Sequence, residues 1–123
     1  GDIPCLRANL EYETIPDGTD MAFERKFTKL WRIKNTGSCT WNTNYAIRFV
    51  DGELMGAGAV LPLTDVDIPT YGYAMIEVEF TAPDELGTFR SNWMIVSDDA
   101  RLFGLGPNSK GWFWVEIKTF DPN

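Results

Sequence analysis

Histidine is absent from all 123 residues. That absence removes Ser-His-Asp and Cys-His catalysis, histidine-ligated zinc and haem, and the one side chain whose ordinary titration falls near neutrality. Basic residues are outnumbered: 11 Lys and Arg face 18 Asp and Glu, giving a formal charge of −7 and a pI near 4.4. Neutralising phosphates needs a surplus of cations on one face, and no such Lys/Arg cluster is present, so we expect no nucleic-acid partner. No apolar run approaches the roughly 18 to 20 residues that a membrane-crossing helix requires, so no direct membrane insertion is expected. A charged start followed by an apolar stretch is also missing, and we expect any signal peptide to have been removed. Cofactor loops are lacking too. Gly56-Ala57-Gly58 and Gly104-Leu105-Gly106 have no third glycine three residues on, and no Gly-Lys-Ser/Thr occurs, so neither a dinucleotide site nor a P-loop is expected.

Carboxylates are plentiful but unpatterned. Asp98-Asp99, Asp65-Val66-Asp67 and the pair Asp17 and Asp20 come nearest to a hydrolytic or cation site. None sits in the Asp-x-Asp-x-Asp-Gly frame of a calcium loop, and we read all three as solvated turn residues. No catalytic residue, metal ligand or cofactor is assigned, and the chain is not expected to be an enzyme.

What the chain does contain is apolar surface: 44% of residues are hydrophobic and 14% aromatic, enough for the core of one domain and too few residues for two. Turn signals recur at Pro16-Asp17-Gly18, Asn35-Thr36-Gly37, Asp51-Gly52, Pro69-Thr70-Tyr71-Gly72, Pro83 to Gly87 and Gly104 to Gly111. Between them apolar residues alternate with period two, most clearly in Ile76-Glu77-Val78-Glu79-Phe80. Phe89, Ser91, Trp93 and Ile95 form a second inward face, and Phe113, Val115 and Ile117 a third. Phe27, Lys29, Trp31 and Ile33 form a fourth with one long stem to bury or snorkel, and Ile47 and Phe49 a fifth. No stretch repeats at helical spacing.

The pattern predicts an all-β chain folded as one domain over 1–123, with its core in about 7–120, as a two-sheet antiparallel sandwich of seven to eight strands. The expected strands are Arg7 to Thr14, Lys26 to Asn35, Tyr45 to Asp51, Leu54 to Val60, Asp65 to Ile68, Tyr73 to Thr81, Gly87 to Ser97 and Phe113 to Phe120. Gly1 to Pro4 and Asp121 to Asn123 are expected tails.

The run Phe27-Thr28-Lys29-Leu30-Trp31-Arg32-Ile33-Lys34-Asn35-Thr36-Gly37-Ser38-Cys39-Thr40-Trp41 carries a family pattern. It is continued by Met55-Gly56, Thr81-Ala82-Pro83, Gly87-Thr88-Phe89-Arg90-Ser91-Asn92-Trp93, Phe103-Gly104 and Phe113-Trp114-Val115-Glu116-Ile117. In order and spacing these resemble the four-tryptophan, or FW, domain. That immunoglobulin-like domain is central in autophagy receptors of the neighbour-of-breast-cancer-gene type and occurs in bacterial extracellular proteins. The resemblance spans about Ile15 to Ile117, implies an immunoglobulin-like sandwich, and maps the four tryptophans onto Trp31, Trp41, Trp93 and Trp114, mainly as structural residues. Trp112 is an extra. Alternation independently turns Trp31 and Trp93 inward; Trp41 and Trp114 are not so placed by it.

Cys5 precedes the first expected strand and Cys39 follows the Trp31 strand. In a sandwich the N-terminal segment can lie beside that turn, so a bridge is sterically reasonable, with two free thiols as the alternative. Bacterial members of the resembled family often carry cysteines at these two places, which implies a Cys5–Cys39 disulfide and an extracellular or cell-surface bacterial setting.

By the same resemblance the function is binding rather than turnover: a non-catalytic protein- or peptide-binding module whose contacts are expected at Trp41, Tyr45 and Trp112, with Tyr71 and Tyr73 as further members of an aromatic surface. The alternatives are a carbohydrate-binding module, in which exposed rings stack on sugars and Asn42, Asn44 and Asn108 add hydrogen bonds, and a spacer domain without a ligand. Lys29, Arg32, Lys34 and Arg48 are read mainly as a solubilising face, with recognition of an acidic partner as the other reading. Arg90 is expected to hold a strand edge through hydrogen bonds.

Overall fold

Two faces per strand, one apolar and one wet, decide this architecture, and the alternation read above becomes burial in space. The computed structural model describes residues 3–123; Gly1 and Asp2 of the expected N-terminal tail lie outside the described residues. The strands are β1 (Ala8–Glu13), β2 (Thr19–Ala22), β3 (Lys26–Asn35), β4 (Ala46–Gly52), β5 (Val60–Pro62), β6 (Tyr73–Thr81), β7 (Thr88–Val96), β8 (Leu102–Phe103) and β9 (Phe113–Phe120). They form a three-stranded sheet in the order β1-β3-β6 and a larger sheet in the order β2-β9-β7-β4-β5, with β8 pairing β7. The fold is an all-β, immunoglobulin-like sandwich with no helix among the described residues.

Three departures from the expected strands have local causes. Leu54 to Val60 is not a strand until its last residue, because Met55 and Gly56 both take positive φ (51° and 81°) and turn the chain. Asp65 to Ile68 contributes only a bridge between Ile68 and Trp41. The chain also forms two short strands that the pattern did not mark, β2 and β8, each too short to show a period. β2 runs parallel to β9, in register from Thr19↔Ile117 to Ala22↔Phe120. That pair departs from the all-antiparallel expectation, while every other strand pair is antiparallel.

The two sheets meet through rings. Trp31, fully buried on β3, packs edge-on against Phe113 of β9 at 5.0 Å and against Phe80 of β6 at 6.3 Å. Phe80 in turn meets Trp93 of β7 at 6.2 Å, and Trp93 meets Phe49 of β4 at 5.9 Å. Edge-to-face pairs of this kind add to the large apolar area each ring removes from water. Their polar atoms are satisfied: Trp31 Nε1 donates to the Trp114 carbonyl at 3.0 Å, and Trp93 Nε1 donates to Ser91 Oγ at 2.8 Å.

One charge sits in this interior. Lys29 is on the inward face of β3 and fully buried, with its ammonium donating to Glu13 Oε1 (2.8 Å), to the Thr14 carbonyl, and to the Ile15 carbonyl (3.0 Å). All three donors of a lysine are thereby used, which is the condition under which a buried ammonium is tolerated. Its partners lie where the chain leaves β1 for the other sheet, so Lys29 fixes that crossover.

At the other end of β1 the N-terminal segment runs alongside residues 36–39. Cys5 and Cys39 are joined by a disulfide with Cα atoms 4.7 Å apart. Backbone bonds flank it: Ser38 N–H to the Pro4 carbonyl (2.9 Å), Cys39 N–H to the Cys5 carbonyl (3.2 Å) and Thr36 N–H to the Arg7 carbonyl (3.1 Å). The approach depends on Gly37, where a Cβ would fall 2.2 Å from the Cys5 carbonyl oxygen.

Two stability predictions follow from this packing. Trp93→Ala is expected to cost about 3 to 5 kcal/mol in urea-unfolding experiments, against a change within about 0.5 kcal/mol for the surface substitution Trp112→Ala. Gly37→Ala is expected to cost about 1 to 3 kcal/mol by the same assay, because the Cys5 backbone must be displaced to admit the methyl group.

Candidate protein-contact face

β6 ends the three-stranded sheet, and its backbone shows which groups are left over. The Ala82 N–H donates toward β3, to the Arg25 carbonyl at 2.8 Å, and the Gly72 carbonyl accepts from Asn35 N–H at 2.8 Å. Thr81 N–H points the other way, to the Met55 carbonyl at 2.7 Å. The β3–β6 register is unbroken from Lys26↔Thr81 to Lys34↔Tyr73. Since strand hydrogen bonding alternates with period two, Tyr73, Met75, Glu77 and Glu79 direct their N–H and C=O groups to the open side. Among the described residues no neighbouring backbone takes up those groups. Beside this edge runs a groove of about 470 Å³, whose lining includes Leu63, Val66, Ile68 and Ile76 with the carboxylates Asp65 and Glu77.

The outer face of the same sheet mixes exposed apolar side chains with two cations at this border. Cross-strand register places Tyr12, Arg32 and Met75 in one row and Asn9, Lys34 and Tyr73 in the next. Tyr12 (55%), Met75 (56%) and Tyr71 (59%) are among the most exposed large side chains of the molecule. The Arg32 guanidinium lies 4.1 Å from the Tyr73 ring centroid, and Lys34 Nζ lies 5.6 Å and 5.8 Å from the Tyr71 and Tyr73 rings. Both cations therefore lean over aromatic faces toward the free edge. Among the described residues neither has a carboxylate within 4.0 Å. The ion pairs among the described residues are Lys29–Glu13, Arg101–Asp99, and Arg90 with Glu116 and Asp17.

Tyr71 is held in a conformation that bulky residues rarely adopt, with φ of 70°. The turn closes by Gly72 N–H to the Pro69 carbonyl (2.9 Å), and Tyr71 N–H donates to the Asn35 carbonyl at 2.6 Å. Asn35 is fully buried and braces both adjoining turns. Its Nδ2 donates to the Cys39 and Ile68 carbonyls at 2.9 and 3.0 Å, and its Oδ1 accepts from Gly37 N–H at 3.0 Å. Strain at an exposed aromatic, maintained by a buried amide network, is a pattern associated with functional surfaces.

The residues expected at the contact surface separate. Trp41 and Tyr45 are corrections: Trp41 is fully buried and Tyr45 is 4% exposed, so neither offers a ring to a partner. Trp41 pairs its backbone with Ile68 in both directions at 2.9 Å, and both rings pack on Phe103 of β8, at 6.2 and 6.3 Å. Trp112 is exposed, without an aromatic partner. Tyr71 and Tyr73 are exposed and adjoin Arg32 and Lys34. Trp31 and Trp93 are core.

Trp114 lies half-buried on the outer face of the larger sheet. Its Nε1 donates to Asp17 Oδ1 at 3.0 Å, and its ring lies 4.5 Å from the Arg90 guanidinium. Arg90 also bonds Glu116, which ties β7 to β9 as a structural arginine. The supposed basic face divides: Lys29 is interior, Arg48 lies on β4 in the other sheet, and only Arg32 and Lys34 share the border. Met75 and Tyr12 were missed. Met75 occupies the solvent side of the same alternation that marks Ile76 as core, an apolar residue on the face of Glu77 and Glu79, and that was the available signal.

The acidic turn residues have local partners. Asp99 accepts from the Ser97 hydroxyl and pairs with Arg101 at 2.8 Å, and these two groups hold its carboxyl below the usual range. Asp98 accepts from Asn42 Nδ2 at 2.8 Å. Burial pushes the Tyr45 hydroxyl above its ordinary value near 10, with smaller contributions from the negative charges of Asp98 and Asp99. Among the described residues no group of three or more Cys, Asp or Glu is arranged to hold a metal ion.

Residues 14–119 match a family model described as the Ig-like domain from next to BRCA1 gene. The chain is 38% identical over 105 residues to Next to BRCA1 gene 1 protein of Mus musculus, covering 83% of this chain and 10% of that protein. Its identity to the Homo sapiens protein of the same name is 36%, covering 83% and 11%. To the protein NBR1 homolog of Arabidopsis thaliana it is 30% identical over 107 residues, covering 81% and 15%. The chain thus spans only 10 to 15% of the length of these relatives. Among solved structures it resembles the CARDB domain of PF1109 from Pyrococcus furiosus, in its solution structure, with a TM-score of 0.56 at 12% identity over 97% of each chain. A crystal structure of that domain in complex with di-metal ions gives 0.50 at 11% identity over 96% of this chain and 90% of the other. The likeness to both is one of fold.

The Tyr45 environment yields a pH prediction. Its folded-state hydroxyl titrates above the unfolded one, so its effect on stability is nil below about pH 10, and stability falls as pH rises from there through the folded value. Thermal melts from pH 8 to 11 are expected to show a steeper alkaline decline for the native protein than for Tyr45→Phe.

Proposed function

The chain belongs to the family of Ig-like domains from next to BRCA1 gene, and from that premise we propose that it is a non-catalytic protein-interaction module whose contact face is the β6 border. The observation that carries this reading is the coincidence of two features on one strand. Tyr73–Thr81 has an open hydrogen-bonding edge, and the exposed Tyr71, Tyr73 and Met75 gather at one end of it. An unpaired edge offers main-chain bonds to an incoming segment, and adjacent rings and thioethers offer area and adaptability. Of the residues suited to the carbohydrate alternative, Trp112 is exposed with no second ring beside it, Tyr71 and Tyr73 carry Arg32 and Lys34 over their faces, and Asn42 is occupied by Asp98.

The proposed setting is a secreted or cell-surface bacterial protein. The Cys5–Cys39 bond supports an oxidising compartment. The relatives named above are animal and plant proteins, so the bacterial part of this setting rests on the resemblance carried by the cysteine pair.

Photo-crosslinking tests the contact face. With a benzophenone amino acid at Tyr73 in the full-length protein in its own cells, a discrete protein adduct is expected, and none with the same probe at Trp112. An adduct from Trp112 alone, or glycan-array binding that disappears in Trp112→Ala, would overturn the reading.

A further inference from the structure

The chemistry of the partner can be read from the same border, and this step rests on the interaction-module reading. The molecule carries a net −7, yet Arg32 and Lys34 sit side by side on its surface, and among the described residues neither pairs with a carboxylate. Their heads are not free to wander. Arg32 is stacked on Tyr73 at 4.1 Å, and Lys34 stands over Tyr71 and Tyr73. A guanidinium held over a ring face keeps the N–H donors at its own edge available for a paired bond to a carboxylate, and part of the ordering cost is met before binding.

Period two then assigns the faces of anything that pairs with β6. Side chains of an added strand alternate between the outer face of Tyr73, Met75 and Glu77, three residues that also border the groove, and the groove side, toward Leu63, Val66, Ile68 and Ile76. Asp65 lines the groove, and its negative charge disfavours acidic side chains on that side. Glu77 and Glu79 occupy the outer face at the far end of the open edge, so negative charge is accommodated only at the Tyr71 to Met75 end. Thr81 closes the edge by bonding Met55, and the Pro69 to Gly72 turn closes the other end, leaving Tyr73 to Glu79 as the length available.

We infer that this domain binds an extended protein segment added to the β6 edge, with acidic side chains on the outer face over Arg32 and Lys34 and uncharged apolar side chains in the groove. Charge selects the partner, and main-chain bonding together with apolar filling holds it.

The test uses two blocked heptapeptides, Asp-Val-Asp-Val-Thr-Val-Thr and Lys-Val-Lys-Val-Thr-Val-Thr, titrated into the ¹⁵N-labelled disulfide-bonded domain. The acidic peptide is expected to shift the amides of Tyr73, Met75 and Glu77 and to bind at least about tenfold more tightly than the basic one, with affinity falling as salt is raised. Arg32→Ala/Lys34→Ala, both on the surface, is expected to abolish the discrimination while leaving the remaining spectrum in place. Met75→Pro removes an N–H that points to the open side, a position where an edge strand tolerates proline, and is expected to abolish binding of the acidic peptide. Equal shifts of β6 by the two peptides would overturn the acidic assignment while leaving the interaction-module reading standing. Unmoved β6 amides with both peptides would overturn the edge-addition proposal, and the Tyr73 crosslink then decides separately whether this border is a protein contact at all.

Discussion

The contact of four rings between the sheets is the constraint on which the rest depends. Trp31 and Phe80 come from the small sheet, Trp93 and Phe113 from the large one, and each touches a ring of the other layer edge-on. Because these rings are large and their distances fixed, they set the separation and alignment of the layers, and smaller residues fill in around them. Both sheets then inherit an inside and an outside, and the three-stranded sheet, with β6 at its border, has no further strand to protect it. The open edge follows from β6 standing last in the strand order of its sheet.

A second tier of polar interactions fixes the segments that the rings do not reach. Lys29 satisfies its ammonium on the carbonyls of the β1 crossover, and Asn35 uses its side-chain amide to join the turns at residues 36–39 and 69–72. These are costly groups to bury, and each is fully bonded, so they specify where the chain crosses instead of merely filling space. The border residues Tyr71 and Tyr73 inherit their placement from Asn35. Their orientation toward Arg32 and Lys34 is thus a property of the interior.

The sandwich was legible where a strand was long enough to show its period. Ile76, Val78 and Phe80 against Glu77 and Glu79 gave β6 correctly, and Trp31 and Trp93 fell inward on the same argument. β2 was not legible, since its four residues place a single buried side chain, Met21, on the core. Trp41 and Tyr45 were misplaced for a different reason: both follow a turn, and what buries them is Phe103, far along the chain on a two-residue strand. The inward position of Lys29 was visible, but the carbonyls that receive it were not. Edge status is likewise a property of strand order, which no local pattern encodes, so Tyr73 and Met75 looked like ordinary solvent-facing positions until the sheet was assembled.

The covalent bond near the N-terminus also determines how the domain responds to being pulled. Cys5 and Cys39 enclose β1, β2 and β3 within one covalent loop. Tension entering through the N-terminal side passes across the sulfurs directly to residue 39, and the enclosed strands remain slack. Of the three strands beside the contact border, β1 and β3 are shielded in this way, whereas β6 lies in the stretch of chain that transmits force to the C-terminal side.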